Sequence, residues 1–414
     1  MTRTFDPAED ALALELFQAA VAVPSVTGRE MEYARLVERE LHQAGADEVH
    51  LVEVAPGRPI VWSLTRGSGG GQNLLVIGHL DTVGVDDWAE HWTGEADDLR
   101  ADPFSGAIVD GAVWGRGTGD VKGGISATLA AMRSLQASGT QLQGDLLTAW
   151  VCDEESGEPG LGRSLGMLGL VDVIKRGELP RPDFAVYVEP TGLAVSPAQI
   201  GFFVAEIAIE GRSAYFCHPE QGIDALKAGQ RLLVELWELE ERLQKEATHP
   251  LLKPVLLAAS MRAGEHLSIP GKCAITVLRC ILPGEDLGVA ARELEAAIAR
   301  AVDETGATWH VEYPAGRDHP LGGTAGEIPG DHPAVQQLLD VLGEFAPEKK
   351  RVTGFNTWSE LPLLAGEFGT PGVYFAAGEI VSCHTPRENV PVDDYLTAFH
   401  VLTEFFQRYC NTPR

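Results

Sequence analysis

Between residues 9 and 44 the apolar positions recur at helical spacing, and Pro24 and Gly28 interrupt the pattern, which predicts two helices joined by a turn. A different texture follows. Residues 73–78 (NLLVIG) form a short, nearly unbroken apolar run rich in branched side chains, as expected of a strand buried on both faces. Residues 146–152 (LLTAWVC) and 184–188 (FAVYV) have the same character, and segments 123–138 and 160–176 carry a helical period. Strands alternating with helices imply an α/β layer with a largely parallel sheet.

Beyond Pro197 the pattern changes. Residues 201–210 alternate as a half-buried strand does, 223–247 read as a long amphipathic helix, and 255–262 and 273–281 as two more strands. A helix over 288–305 and a strand over 307–313 complete the order β-α-β-β-α-β, that of a ferredoxin-like domain. From Asp331 the first texture resumes, with a strand over 372–376 and a closing helix over 392–409. The expected fold class is therefore α/β with two domains. A catalytic domain, its largely parallel sheet flanked by helices, takes residues 1–196 and 315–414, and the ferredoxin-like domain is inserted over 197–314.

The length of 414 residues agrees with two cores rather than one. Acidic residues outnumber basic ones by 60 to 32, a net charge of -28, which argues against a nucleic-acid or anionic-membrane partner. A metal site uses only a handful of carboxylates, so most of that charge belongs to solvated surface. The six cysteines are scattered without a C-x-x-C pair and read as reduced thiols. The opening MTRTFDPAED lacks the basic and then apolar order of a signal peptide, and no apolar run reaches membrane-spanning length. A cytoplasmic location is expected.

Polar residues of particular types stand at the ends of the predicted strands. His79 and Asp81 directly follow residues 73–78, at the carboxyl end of a parallel strand, where ligands of open α/β sheets bind. In this reading His79 binds a metal while Asp81 accepts the proton on its other ring nitrogen. Taken alone, the pair is equally a histidine satisfied by a neighbouring acid. Asp120 lies in the glycine-rich turn 115–124 (GRGTGDVKGG), whose backbone must approach something closely. The turn lacks the third glycine of a dinucleotide fingerprint at its proper spacing and does not directly follow an apolar strand, so a nicotinamide-dependent oxidoreductase finds little support. Asp153, Glu154 and Glu155 end the strand 146–152. Adjacent acids there repel unless a cation offsets them, so one can bind metal while another serves as general base. Glu189 closes 184–188, and His384 follows the strand over 372–376. Two histidines and three carboxylates at the loop ends of one sheet suit two zinc ions bridged by a carboxylate.

With these motifs, namely residues 78–83 (GHLDTV), 115–124, 153–155 (DEE), 188–191 (VEPT) and 384–386 (HTP), the chain resembles the metal-dependent family of acetylornithine deacetylase, succinyl-diaminopimelate desuccinylase, aminoacylase and glutamate carboxypeptidase. The match runs from Pro24 to Asp393. The resemblance implies a di-metal amidohydrolase acting on an N-acyl amino acid or short peptide, with zinc, cobalt or manganese as the metal. It implies that His79 and Glu189 hold one ion, Glu155 and His384 the other, that Asp120 bridges them, that Asp81 orients His79 and that Glu154 is the base. It also implies that the inserted domain acts as a lid through which two copies pair as a homodimer.

The departures concern substrate. Tyr215 stands where most members have a histidine that reaches the partner's active site and stabilises the oxyanion, and its hydroxyl brings a hydrogen bond without a positive charge. His218, three residues on in a turn before proline, is either a second candidate donor to the oxyanion or a surface histidine. Leu267 stands where many relatives have asparagine, and Cys280 where many have arginine, with Arg279 adjacent. The rival reading is a non-catalytic, metal-binding dimer of the same fold. The retained Glu154 speaks for the enzyme, and the altered lid speaks for the rival.

Overall fold

The computed structural model describes residues 5–92, 98–155, 162–264 and 267–414. They form two compact units, residues 1–197, 328–353 and 363–414, and residues 198–327 and 354–362.

The first unit is a mixed α/β layer. The expected apolar strands Leu74–His79, Leu146–Val151 and Phe184–Tyr187 are buried throughout, and Leu74–His79 pairs in parallel with both of the others. Gly372–Tyr374 extends the sheet in parallel beyond Phe184–Tyr187. Several strands escape the sequence reading, among them Val195–Gln199 and an edge hairpin. Glu48–Ala55 and Arg58–Thr65 form an antiparallel hairpin, and the latter joins the edge of Leu146–Val151. Glu48–Ala55 is mostly half-buried and exposed, and a charged residue opens the buried Arg58–Thr65, so neither shows a clean apolar run.

Pro7–Val21 begins with an Asp6 cap whose side chain accepts from Ala8 N at 2.8 Å while Glu9 reaches back to Asp6 N at 3.0 Å, a reciprocal cap worth about 1 kcal/mol. Its buried stripe of Ala13, Leu16, Phe17 and Ala20 faces Gly123–Ala137, which also meets the closing helix Val392–Cys410. Phe17 stacks on Tyr395 with ring centroids 4.4 Å apart, and the Tyr395 hydroxyl donates to Ala13 O at 2.7 Å. Both ends of the chain are thus fastened to one domain. Gly123–Ala137 lies close over the sheet, because a Cβ on Gly124 would stand 2.5 Å from Val188 Cβ. The helix expected over 160–176 is observed as Leu165–Lys175, and residues 160–161 lie outside the described residues.

The second unit runs as strand Gly201–Glu210, helix Ala225–Glu246, strands Leu256–Ala263 and Lys272–Ile281, helix Leu287–Val302 and strand Thr308–Glu312. Its four strands are antiparallel, with Gly201–Glu210 between Lys272–Ile281 and Thr308–Glu312. Along Gly201–Glu210 the residues Phe203, Ala205, Ile207 and Ile209 face the core and Glu206 and Glu210 face water, as a period of two requires. This unit is larger than the expected 197–314. Residues 322–323 pair with Phe203 and Phe202, the Trp358 indole donates to Thr324 O at 3.1 Å, and the Gln199 amide donates to Ser359 O at 3.0 Å. These bonds draw in 315–327 and 354–362. Among the described residues no helix is long and apolar enough to cross a membrane.

Candidate metal centre

At the carboxyl ends of the parallel strands several acids and two histidines converge. His79 closes Leu74–His79 and is buried. Its Nδ1 lies 2.9 Å from the backbone carbonyl of Asp81, and since a carbonyl only accepts, this nitrogen donates. Its Nε2 lies 2.9 Å from Asp120 Oδ1 and 3.8 Å from Glu189 Oε1. The other oxygen of Asp120 is 3.1 Å from His384 Nε2, which is also 3.1 Å from Glu155 Oε1. Potential ligand atoms of His79, Asp120 and Glu155 all lie within 4.8 Å of one another.

The expected role of the Asp81 carboxylate needs correction. It stands 3.9 Å from His79 Nδ1, and the backbone carbonyl of the same residue takes the imidazole proton instead. The carboxylate accepts from Glu155 N at 3.0 Å, Glu154 N at 3.3 Å and Thr27 Oγ1 at 3.0 Å. It therefore pins the two glutamates to the end of the His79 strand. The first of the three consecutive acids is an anchor. Buried Asp153 accepts from Arg58 Nη2 at 2.8 Å, Gly162 N at 3.0 Å and Arg163 N at 2.9 Å. Arg58 also donates to Glu30 Oε1 at 2.8 Å, and removing one partner from such a buried network typically costs about 3–5 kcal/mol.

Asp120 sits in a turn that Gly117 allows by adopting φ +84°, and the Asp120–Val121 peptide is cis. Two residues that the sequence reading does not single out support this turn. Glu388 Oε1 accepts from Gly119 N at 3.0 Å and Asp120 N at 3.2 Å, and Glu388 Oε2 pairs with Arg116 Nη1 at 2.6 Å. A buried pair so distant in sequence leaves no local signature.

Burial would raise the Asp120 carboxyl, but hydrogen bonds from His384 and His79 hold it well below the usual carboxylate range. Burial and the Asp120 charge push Glu155 up to about 7. Hydrogen bonds to Asp120 and Glu155 push His384 up to about 11. Burial works against the His79 cation, yet the Asp120 hydrogen bond and the charges of Glu154, Asp120 and Glu189 carry its pKa well above the ordinary value. So many carboxylates in little space call for positive charge, and without a cation the imidazoles supply it as protons. A divalent ion offers the same charge to a set of oxygen and imidazole donors, the set that suits zinc, manganese or cobalt.

Residues 75–408 match the sequence model of peptidase family M20/M25/M40, which is more than half of the chain. The chain belongs to that family. This M20 chain is 25% identical to the N-formyl-4-amino-5-aminomethyl-2-methylpyrimidine deformylase of Halalkalibacterium halodurans, over 97% of its own length and 95% of the relative's. Its fold is similar to that of the M20 family metallo-carboxypeptidase Sso-CP2 from Sulfolobus solfataricus, with a TM-score of 0.74 at 16% identity over 98% of this chain and 100% of that one. It is also similar to the YXEP protein of Bacillus subtilis, a dinuclear metal binding peptidase, with a TM-score of 0.67 at 14% identity, over 98% of this chain and 100% of that one. The M20 chain is a hydrolase of amide or peptide C–N bonds.

The expected substrate residues of this M20 chain lie in its second unit. Tyr215 is exposed, beside the Phe216 ring, on a two-residue strand that pairs with Ser268–Ile269. His218 is exposed, its Nδ1 3.2 Å from Glu220 Oε1, and Leu267 is exposed at φ +57°. Successive strand residues point to opposite faces, which separates Arg279 from Cys280. Arg279 is buried against Leu287–Val302, donating to Ala290 O at 3.1 Å and Glu293 at 2.6 Å. Cys280 packs with Ala198, Ile200, Leu252 and Leu282. The Arg279 guanidinium is engaged inside the unit, and Cys280 brings none.

Proposed function

We propose that this chain is a di-metal amide hydrolase, with zinc as the working metal, that cleaves an N-acyl amino acid or short peptide. The observation that carries the reading is the setting of Asp120. Its two oxygens face the Nε2 atoms of different histidines, at 2.9 Å and 3.1 Å, the arrangement a carboxylate shared by two ions needs. In this reading His79 and Glu189 complete one ion's ligands and Glu155 and His384 the other's. The ions, when bound, polarise the scissile carbonyl and acidify a water. Glu154 is left off the ions, takes a proton from that water and delivers it to the leaving amine. Asp81 keeps Glu154 and Glu155 in register with His79.

After removal of metal and incubation with zinc, elemental analysis is expected to find two ions per chain, and no more than trace metal would sink the reading. Uptake must be pH-dependent. A metal needs the bare imidazole nitrogens, whereas His79 and His384, with pKa values raised in the metal-free site, hold protons at neutral pH. Binding therefore expels protons, and affinity rises with pH and weakens as pH falls. Proton release seen by calorimetry in buffers of different ionisation enthalpy checks the sign.

The second unit, with its ferredoxin-like order of elements, serves in this reading as lid and dimerisation domain. Its exposed Tyr215 hydroxyl and His218 imidazole are the candidate oxyanion donors. One of Tyr215→Phe and His218→Ala is expected to lower kcat by roughly a hundredfold, since an oxyanion donor is typically worth 10²–10³ in rate. Metal content and oligomeric state should stay at the parent's values. Full activity in both variants would discard this account of the lid.

A second substrate reading is favoured by Arg279, which is consumed by Glu293, and by Cys280, which sits among apolar side chains. A substrate without a carboxylate beside the scissile amide needs no arginine fork there. An N-formyl amine is such a substrate, and the relative 25% identical to this chain is a deformylase. Ranking kcat/KM over N-acyl amino acids, dipeptides and N-formyl amines separates the two readings.

A further inference from the structure

We propose that Glu388, clamped by Arg116, is a positioning residue that sets the spacing between Asp120 and His384 and so governs the ion site those two ligands share; this rests on the di-metal reading. Side chains of Arg116 and Glu388 are 2% and 0% exposed. A buried carboxylate is tolerated only when its oxygens are satisfied, and here both are used. Oε1 takes the backbone N–H groups of Gly119 and Asp120, the second of which belongs to the bridging residue itself. Oε2 takes Arg116, whose guanidinium is fixed in turn by Gly84 O at 3.3 Å and by the Trp88 ring, 5.4 Å to its centroid.

Glu388 also belongs to the other ligand loop. It follows His384 by one short turn, closed by Glu388 N donating to Thr385 O at 3.3 Å. One carboxylate is thus joined by covalent chain to the loop of His384 and by hydrogen bonds to the turn of Asp120. The packing around it leaves little play, since a Cβ on Gly119 would stand 2.9 Å from Cys383 Sγ. His79 is secured separately, by the Asp81 carbonyl at the end of its own strand. Loosening Glu388 therefore disturbs the pair Asp120 and His384 more than the pair Asp120 and His79.

The competing account is that Glu388 merely neutralises Arg116 in the interior. The two accounts differ in what a shorter carboxylate does. Glu388→Asp retains the charge but lacks the reach, and Glu388→Gln retains the length but places an amide where only acceptors fit. Zinc binding to the full chain should be resolved into its two steps by calorimetry, with zinc alone as the probe. Melting of the metal-free protein should be followed in parallel. Both variants are expected to lose affinity in one step by roughly 10–100-fold, the usual cost of removing a group that orients ligands, with the other step at the parent's value. Parent affinity in both steps for Glu388→Asp, with only a lowered melting temperature, would overturn the proposal, as would an equal loss in both steps. Should Glu388→Gln fail to fold, Glu388→Asp and Arg116→Lys report the same quantity. A parent chain that takes up fewer than two ions defeats the di-metal reading instead, which keeps the two failures distinct.

Discussion

Replacing Glu154 by glutamine is expected to reduce turnover by on the order of 10²–10⁴ while metal content stays at the parent's level. An amide has the shape of the carboxylate but cannot accept the proton of the attacking water. Two structural facts separate Glu154 from its neighbours. Asp153 is spent on Arg58 and on three backbone N–H groups, and Glu155 reaches His384 at 3.1 Å. The negative charge of Glu154 acts on His79, which puts its carboxylate beside the cluster. Its backbone N–H is held by Asp81, so the substitution leaves the loop in register. Activity near the parent's in a true substrate assay would mean the base lies elsewhere. Loss of metal along with activity would make Glu154 a ligand.

Asp120→Ala is expected to empty both ion sites, whereas loss of a terminal ligand such as Glu189 or His384 should weaken one. The difference follows from geometry. Each oxygen of Asp120 faces its own histidine, so on the di-metal reading a single deletion withdraws a ligand from both ions, along with the charge that raises the pKa values of His79 and His384. The methyl side chain of Ala offers no substitute donor. Elemental analysis of the purified variant, with circular dichroism to establish that it is folded, checks the outcome. Retention of one full equivalent would show that Asp120 serves a single ion.

Much of the site was legible because parallel strands buried on both faces leave an unmistakable apolar run, and whatever polar residue ends such a run lies at the sheet's functional edge. The apolar runs point in that way to His79, Glu155 and Glu189. A glycine-rich turn and a short motif point to Asp120 and His384, and the structure brings these five side chains together. What stayed hidden depends on contacts remote in sequence. Nothing near Glu388 distinguishes it from the other acids of a strongly anionic chain, and its meaning comes from Arg116 and from two backbone N–H groups far upstream. The role of Asp81 was misjudged for a subtler reason, since its spacing from His79 brings both its carbonyl and its carboxylate near the ring and sequence does not say which is nearer. Arg279 is adjacent to Cys280, where many relatives have arginine, and strand pleating turns it to the helical side, where Glu293 and Ala290 O hold it. The hairpin of Glu48–Ala55 and Arg58–Thr65 leaves no clean pattern because one strand is half-buried or exposed throughout and the other opens on a charge.

On the ribosome the ligands arrive out of step. His79, Asp120, Glu155 and Glu189 are made first, residues 198–327 that form most of the second unit follow, and His384 and Glu388 come after them. Domains generally fold as they emerge, so the second unit has time to collapse while the first still waits for its last strand and for Val392–Cys410, the helix that packs on Gly123–Ala137. A nascent chain paused before residue 384 has Asp120 with one of its two imidazole partners absent. On the di-metal reading, an ion captured at that stage would meet half a cradle, and the pair of sites would be completed only once the second unit has been made.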